Sequence, residues 1–542
     1  MDAEPAERRH GNRLSQTRRS GCWPAVIGLG WALTFLGLST PRLDVPGLYY
    51  DEVHQAPAAL ALTGAPHSMA AYSIAGVPVL NMPYSGAIKS GLYGAGLRVF
   101  DQPFTVSSWR WLGCVISAVG IFLGCYAVAT VLSWKSAMLL GFLLTTDVSL
   151  LLATRHDWGP VALALALRLS LFALWLPDWN REAPRTGVSF GLGALLGLAV
   201  FEKLSSVVLV LPVLLAFLAD PRRRTPRHFA AGLAGGLTGS LPLLAANLHS
   251  WITHGALISL TGSPLQTGPR PELWDFLTAY LGLGAGETLT GWILGEPALP
   301  GASAVEALSV GLAILLIGAS SLAPQRRAPM RRAAGAFAVL YLAVGLAVIA
   351  LPSTTWVHHW VLGTPLQYIA FVFAMQAIVT GEFRPHLTAR ALKGLLLSTL
   401  TLLLLARVPA VIAVENAIQN GATSPNFDPS TLRLGEFAAR QPRDSVFLAT
   451  EWGVSLPILC LSNGEIPVPE IYWNYQGSED LIAAVGDAPR FFLVAWQAGG
   501  SHQGRTDAIL ADARRLQEFR EVRIGPEAAY WNTVRAWKFE RR

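Results

Sequence analysis

Long apolar runs separated by short polar breaks make up most of the chain, and few folds accommodate that pattern. Runs of roughly 16–24 apolar residues are the length that crosses a bilayer. They fall near residues 23–40, 109–132, 136–154, 160–177, 187–201, 204–219, 229–247, 304–322, 334–351, 360–379 and 394–414, which predicts about eleven spanning helices. Glu202-Lys203 splits one apolar stretch into two short halves. Only 14% of the 542 residues are charged and 52% are hydrophobic. Soluble domains carry about 25% charged residues, so much of this surface meets something other than water. The net charge of +6 resides in short loops between apolar runs, so it reads as a topology signal and not as a nucleic-acid site. Cys22, Cys114, Cys125 and Cys460 form no CxxC pair and no disulfide framework.

Lysine and arginine resist translocation, and their placement sets orientation. Arg8, Arg9, Arg13, Arg18 and Arg19 precede the first run, and no A-x-A cleavage site follows it. Residues 1–22 are therefore expected to form a cytoplasmic tail before an uncleaved span. Counting spans puts Arg222-Arg223-Arg224, Arg326-Arg327 with Arg331-Arg332, and Arg384 with Arg390 and Lys393 on the same inner side. Loops 42–108 and 248–303 and the tail 415–542 then lie outside. The tail alternates strand-like runs (445–450, 490–496, 533–539) with helix-like runs (479–485, 507–518). The expected architecture is an all-α polytopic membrane domain over 23–414 followed by a small extracytoplasmic α/β domain. Usage rich in Ala, Leu, Gly and Arg has a bacterial character, which makes the membrane a bacterial inner membrane and the outer side periplasm.

Five polar groups fall on the outer side, at the ends of separate runs. Asp51, Glu52 and His54 lie within four residues of one another. They can supply a general base or hold a divalent cation through oxygen ligands. They can equally be a helix start, with Asp51 as N-cap and Glu52 in the first turn. Arg155-His156-Asp157-Trp158 is a short turn between two runs. Asp157 can cap the helix that carries Pro160, and Trp158 can anchor at the interface, but three adjacent ionisable groups exceed what a cap needs. Glu202-Lys203 is either functional or a self-paired turn in which Lys203 snorkels to the interface. His358-His359 suit phosphate or hydroxyl contacts, or an interfacial belt with Trp356 and Trp360. Tyr84 and Lys89 belong to a segment whose residues 88–100 can lie along the membrane surface, with Lys89 among the headgroups. Acids, cations and imidazoles gathered near an interface suit a lipid-phosphate substrate and a hydroxyl to be activated.

The order of these groups over residues 23–380 resembles the GT-C superfamily of membrane glycosyltransferases, especially its protein O-mannosyltransferase and lipid A aminoarabinose transferase branch. Tyr50-Asp51-Glu52 resembles the acidic motif of the first outer loop, and Arg155-His156-Asp157 the second acidic site. The segment 84–93, with Lys89, resembles one that reads Lys-Pro-Pro-Leu in many members; here Ser90-Gly91-Leu92 follows the lysine. Residues 191–203 resemble a Gly-rich helix ending in a Thr-Lys-Gly-Pro type turn, which here reads Glu202-Lys203-Leu204-Ser205. His358-His359-Trp360 with Pro365 resembles an Arg-His-Tyr then Pro pattern.

The resemblance implies transfer of a hexosyl or pentosyl group from a polyprenyl-phosphate donor to a protein, glycan or lipid hydroxyl, with inversion. It implies Asp51 as general base, supported by Asp157 and Glu52. It implies Lys89, Lys203 and Arg155 on the donor phosphate. His54, His156, Tyr84, His358 and His359 are further candidate substrate contacts. No cofactor or metal is expected, although Asp51, Glu52 and Asp157 offer oxygens to a divalent cation. Two rival readings are a secondary transporter of lipid-linked sugars and a non-catalytic scaffold acting through the outer domain. Ionisable groups at run ends, not at mid-membrane, speak against the transporter. The departures at Ser90-Gly91 and Leu204-Ser205 motivate the scaffold.

Overall fold

The computed structural model describes residues 22–179, 181–261, 271–322, 328–351, 356–382, 387–497, 502–526, 528 and 531–542. The expected cytoplasmic tail up to residue 21, Arg326, Arg327, Arg384 and part of the second long loop (262–270) lie outside the described residues.

The chain is a multi-pass membrane protein. Six helices are long and apolar enough to cross a bilayer, or up to eight if each of two bent pairs is one span. The six are Val106–Val131, Val161–Trp179, Ala302–Ser321, Pro329–Ile349, Val357–Val379 and Lys393–Gln419. Three further expected spans coincide with shorter apolar helices, Trp23–Ser39, Thr186–Glu202 and Leu204–Leu218. We number the helices that build the site in chain order. They are α1 (Trp23–Ser39), α2 (Tyr50–Val53), α3 (Pro57–Thr63), α4 (Ile88–Phe100), α5 (Val106–Val131), α6 (Trp134–Thr145), α7 (Val148–His156), α8 (Val161–Trp179), α9 (Thr186–Glu202), α10 (Val210–Ala219), α11 (Pro226–Gly239) and α12 (Leu241–His254).

The expected span 136–154 is two helices, α6 and α7, bent by 62°. Asp147 causes the restart: its backbone is extended and its Oδ1 accepts from Leu150 N at 2.8 Å, capping α7. Backbone groups freed inside a membrane domain need partners. Arg407 Nη1 donates to the Leu143 carbonyl at 3.0 Å, and the Tyr368 hydroxyl donates to Asp147 Oδ2 at 2.5 Å. Arg407 also pairs with buried Glu306 and bonds the Tyr368 hydroxyl. The sequence reading placed ionisable groups only at span ends, and this hub corrects it. The break in α6–α7 is what the buried charges satisfy.

Helices α9 and α11 approach closely along small residues. A Cβ on Gly193 would meet the Gly232 carbonyl, one on Gly197 the Gly236 carbonyl, and one on Gly239 the Ala194 carbonyl. Both chains advance together along this seam, so the two helices are parallel. The chain between them must therefore return along the bundle, and residues 204–219 do so. Lys203 lies at one end of α9. At the other end Arg185 and Arg223 pair with Asp178 at 3.1 and 2.5 Å, and His228 Nδ1 lies 2.9 Å from Ser189 Oγ. The basic stretch 222–224 thus sits opposite the end that carries Lys203.

The first long loop is more ordered than its sequence suggests. Strands β1 (Tyr72–Ile74), β2 (Val77–Met82) and β3 (Ser85–Gly86) form an antiparallel meander before α4. The tail holds a four-stranded sheet in the order β4 (Ser445–Ala449), β5 (Arg490–Trp496), β7 (Val534–Arg541), β6 (Phe519–Val522). β4 and β5 are parallel and the other pairs antiparallel. Alternation along the strands buries both faces: Phe447 and Phe492 pack with Leu434 and Phe437, while Leu448 and Leu493 pack with Leu481 and Ile509. The tail rests on the first loop. Asn463 Oδ1 accepts from Phe104 N at 2.6 Å, and the Tyr50 hydroxyl donates to Glu470 at 3.0 Å. Gly47 lies so close to the Asp428 carbonyl that a side chain would not fit.

Candidate active site

Asp51 lies in the first turn of the short helix α2, whose N-cap is Tyr49, so the N-cap reading of Asp51 is corrected. The Trp158 indole donates to Asp51 Oδ2 at 3.2 Å, and the Tyr49 hydroxyl also reaches this carboxylate. Trp158 is therefore not an interfacial anchor. It is 4% exposed and stacks on Trp292 with centroids 5.7 Å apart. Burial raises the Asp51 pKa above the ordinary carboxylate range, against the bonds from Trp158 and Tyr49 and the charge of Lys203. Asp51 keeps part of its surface open.

Glu52 points the other way and is fully buried. Arg110, in the first turns of α5, grips both of its oxygens, with Nη2 to Oε2 at 2.8 Å. The same guanidinium donates to the carbonyls of Leu43, Pro46 and Gly47. Burial pushes the Glu52 carboxyl up, but Arg110 and the neighbouring His156 outweigh it and hold the pKa at about 2. Glu52 with Arg110 is a clamp that folds the loop carrying Asp51. His156 Nδ1 lies 3.6 Å from Glu52 inside that clamp, away from open surface.

Asp157 ends α7 in a left-handed conformation, φ +48°. Its Oδ1 accepts from Ala162 N at 2.8 Å, which caps the start of α8, and its Oδ2 pairs with Lys89 Nζ at 2.7 Å. The cap and the ion-pair readings are both present in one side chain. Lys89 is fully buried, 3.7 Å from the centroid of the Trp109 ring, and not among headgroups. Helix α4 forms as expected over 88–100, but its lysine faces inward.

Lys203 is buried, which overturns the snorkelling reading. Its Nζ donates to the Gly159 carbonyl at 2.6 Å, and Glu202 separately accepts from Ile88 N at 3.3 Å, so the two are not a self-paired turn. A bridge between Lys203 and Ser85, with Leu204 N donating to the Tyr84 carbonyl at 2.9 Å, ties this break to β3. Gly159 has φ +71°. A Cβ there would stand 3.0 Å from Lys203 Nζ and 3.5 Å from His358 Nε2. The missing side chain thus leaves a spot where a cation and an imidazole converge. His358 also packs on Trp158 at 4.7 Å, which links this spot to Asp51.

The remaining expected residues lie elsewhere. Arg155 donates to the carbonyls of Ser39 and Val45, at 3.2 and 2.8 Å, and of Arg42. Its expected place on a donor phosphate is corrected, because its bonds hold the start of the first loop. His54 faces Tyr50 and the tail's Glu470. Burial lowers its pKa to about 4, with Glu470 opposing, so it is neutral at pH 7. Tyr84 stands exposed beside the Asp51 charge. His359 Nδ1 accepts from Trp356 N at 3.1 Å and caps its own turn. Among the described residues no three His, Cys, Asp or Glu side chains converge to hold a metal ion. Asp51, Glu52 and Asp157 take separate partners.

No family model and no curated protein matches the sequence. Solved structures do. ArnT from Cupriavidus metallidurans in the apo state superposes with a TM-score of 0.59 at 13% identity, covering 94% of this chain and 98% of that one. The same protein bound to undecaprenyl phosphate gives 0.56 at 12% identity, covering 95% and 98%. The Archaeoglobus fulgidus oligosaccharyltransferase in complex with Zn and sulfate gives 0.52 at 12% identity, covering 86% and 67%. The chain has the GT-C fold. The likeness extends through the tail, since nearly all of the ArnT chain is matched. The sequence reading passed over Arg110 and Gly159. A lone arginine just inside an apolar run was the available signal for Arg110, because a buried charge requires a partner.

Proposed function

We propose that this protein is a membrane glycosyltransferase that moves a sugar from a polyprenyl-phosphate carrier to an acceptor hydroxyl, with inversion and with Asp51 as general base. One observation carries the reading: Asp51 and the Lys203–His358 pair flank one spot, joined through Trp158 and Gly159. The ArnT structure holding undecaprenyl phosphate lends the donor class. Asp51 removes the hydroxyl proton, the acceptor oxygen bonds the anomeric carbon, and the bond to phosphate oxygen breaks with its electron pair. Asp51 ends protonated and the phosphate leaves with added negative charge. Lys203 and His358 stabilise that charge. Phosphate is a fair leaving group, so no strong general acid is required.

Lys89 and Asp157 neutralise each other and fix the turn that presents Trp158 and Gly159. The eleven-span topology, with this end facing the periplasm of a bacterial inner membrane and the N-terminus cytoplasmic, belongs to the same proposal. Its support is the separation of basic stretch 222–224 from the site. A transporter gains one observation, the buried Arg407–Glu306–Asp147 hub, but those side chains satisfy one another and a helix break. Incubating purified protein with a polyprenyl-phosphate sugar and following sugar release tests the reading. Substrate-coupled flux in vesicles without release would establish the transporter instead.

A further inference from the structure

Aromatic rings run from the candidate base onto the tail. Trp452 follows β4 and Trp496 ends β5, so both stand at the carboxyl ends of the two parallel strands, the edge at which α/β sheets hold ligands. The Trp496 indole donates to the Trp452 carbonyl at 2.7 Å. The Trp452 ring packs on Tyr50 and Tyr49, with centroids 4.7 and 6.3 Å away. Tyr49 reaches the Asp51 carboxylate and packs on Trp158. Tyr50 donates to Glu470, and Glu470 also accepts from the Trp473 indole at 2.8 Å. Contacts thus lead from His358 through Trp158 and Tyr49 to Trp452, and through Tyr50 and Glu470 to Trp473.

Trp473 ends this row and is 52% exposed. Isolated apolar residues on a surface are ordinary, but they are not held in place. Trp473 is. Glu470 fixes its indole, the Tyr472 and His502 rings pack on it at 4.7 and 5.9 Å, and Arg505 donates to its carbonyl at 2.8 Å. A rigid aromatic face offers contact area with little ordering entropy left to lose. Asn474 and Gln476, exposed beside it, carry amides that suit hydroxyl groups. Flat apolar faces with amides at their edge fit sugar rings. Two buried carboxylates, Glu470 and Glu451, underlie the row and disfavour an anionic ligand. Strand addition by a peptide is closed at the β4 edge, where Phe447 N and Ala449 N already donate to the carbonyls of Pro467 and Pro469.

We propose that the tail binds the acceptor and that the acceptor is a neutral glycan, its sugar rings stacked on Trp473 and Trp452 on the way to Asp51. The inference rests on the transferase reading above and names its acceptor class. Titration of the purified full-length protein in phospholipid nanodiscs, which carry no sugar headgroup, tests it. The probes are cellotetraose, maltotetraose, chitotetraose and a serine-containing peptide. At least one tetrasaccharide should bind saturably. Trp473→Ala should weaken that binding by about tenfold or more, through loss of a stacked ring. Trp473→Phe keeps a ring and should stay within about threefold of wild type. Affinity for undecaprenyl phosphate should be the same in all three proteins, whereas a merely structural role would lower it together with glycan binding. Unchanged glycan binding by Trp473→Ala overturns the proposal. So does the absence of saturable binding by every tetrasaccharide, with or without binding of the peptide. If Trp473→Ala does not fold, a photoreactive derivative of the bound tetrasaccharide takes its place. It should label wild type within the segments that carry Trp452 and Trp473, and labelling confined to other segments overturns the proposal. Glycan binding that depends on Trp473, in a protein that releases no sugar from any polyprenyl-phosphate donor, leaves the glycan site standing and removes the transferase reading alone.

Discussion

Two adjacent carboxylates with opposite fates define the residue scale. Glu52 is spent on Arg110, and removing one member of a buried pair strands the other, at about 3–5 kcal/mol. Glu52→Gln should therefore lower the melting temperature sharply and reduce the yield of folded protein, measured by thermal denaturation in detergent. Its folded pKa of about 2 lies below the unfolded value of 4.5. The stabilisation it gives is present above pH 4.5 and is lost as pH falls toward 2. Asp51 has the opposite sign. Its folded pKa is raised, so ionising it costs stability as pH rises past the ordinary carboxylate range. Asp51→Asn should melt no lower than wild type at pH 7, while turnover falls by about 10²–10⁴, the usual worth of a general base. Wild-type rate should decline on acidification through a pKa above that of a free aspartate. A pH–rate profile whose acid limb sits at the free value would remove Asp51 from the base role.

Elements decide what those side chains can reach. Gly159 is needed twice, for its positive φ and for the space that Lys203 and His358 fill. Gly159→Ala should cost more than tenfold in turnover, with a smaller loss of stability of about 1 kcal/mol from backbone strain. Equal rates for the two proteins would show that the spot over Gly159 is not used. The α9–α11 seam makes a separate demand. A leucine at Gly197 would strike the Gly236 carbonyl and part the two helices, so Gly197→Leu should aggregate in detergent when followed by size-exclusion chromatography.

Much at this scale was legible in the sequence. Apolar length located the long helices of the membrane domain, because a bilayer demands it, and alternation located β4, β5 and β7 of the tail. The short meander β1–β3 and strand β6 carried too little alternation to stand out. The bend at Asp147 was illegible because the residues around it remain apolar enough for one span; only Arg407 and Glu306, far along the chain, explain it. The site was half legible. Polar pairs were visible, but partner choice was not, since Lys89 meeting Asp157 and Glu52 meeting Arg110 are contacts across helices.

At the scale of the whole molecule, the tail and the first loop form one cap over the site end of the bundle. Glu470 is the join, accepting from Tyr50, Ser455, Tyr472 and Trp473. Tyr50 is next to Asp51, so loosening the tail should reach the base. Glu470→Ala should increase proteolytic cleavage near residues 415–445 and reduce turnover while the melting of the membrane domain is kept. The proposed topology puts residues 51 and 223 on opposite sides of the membrane, in keeping with Lys203 and Arg223 lying at opposite ends of α9. Reporter fusions after each should read outside and inside respectively.

Sugar release from a polyprenyl-phosphate sugar, compared between purified wild type and Asp51→Asn, tests the central claim most directly. Expected is steady release by wild type and near-complete loss in the variant, with both proteins equally folded. Equal release by the two would contradict Asp51 as the base, and no release by wild type from any such donor would contradict the transferase reading itself.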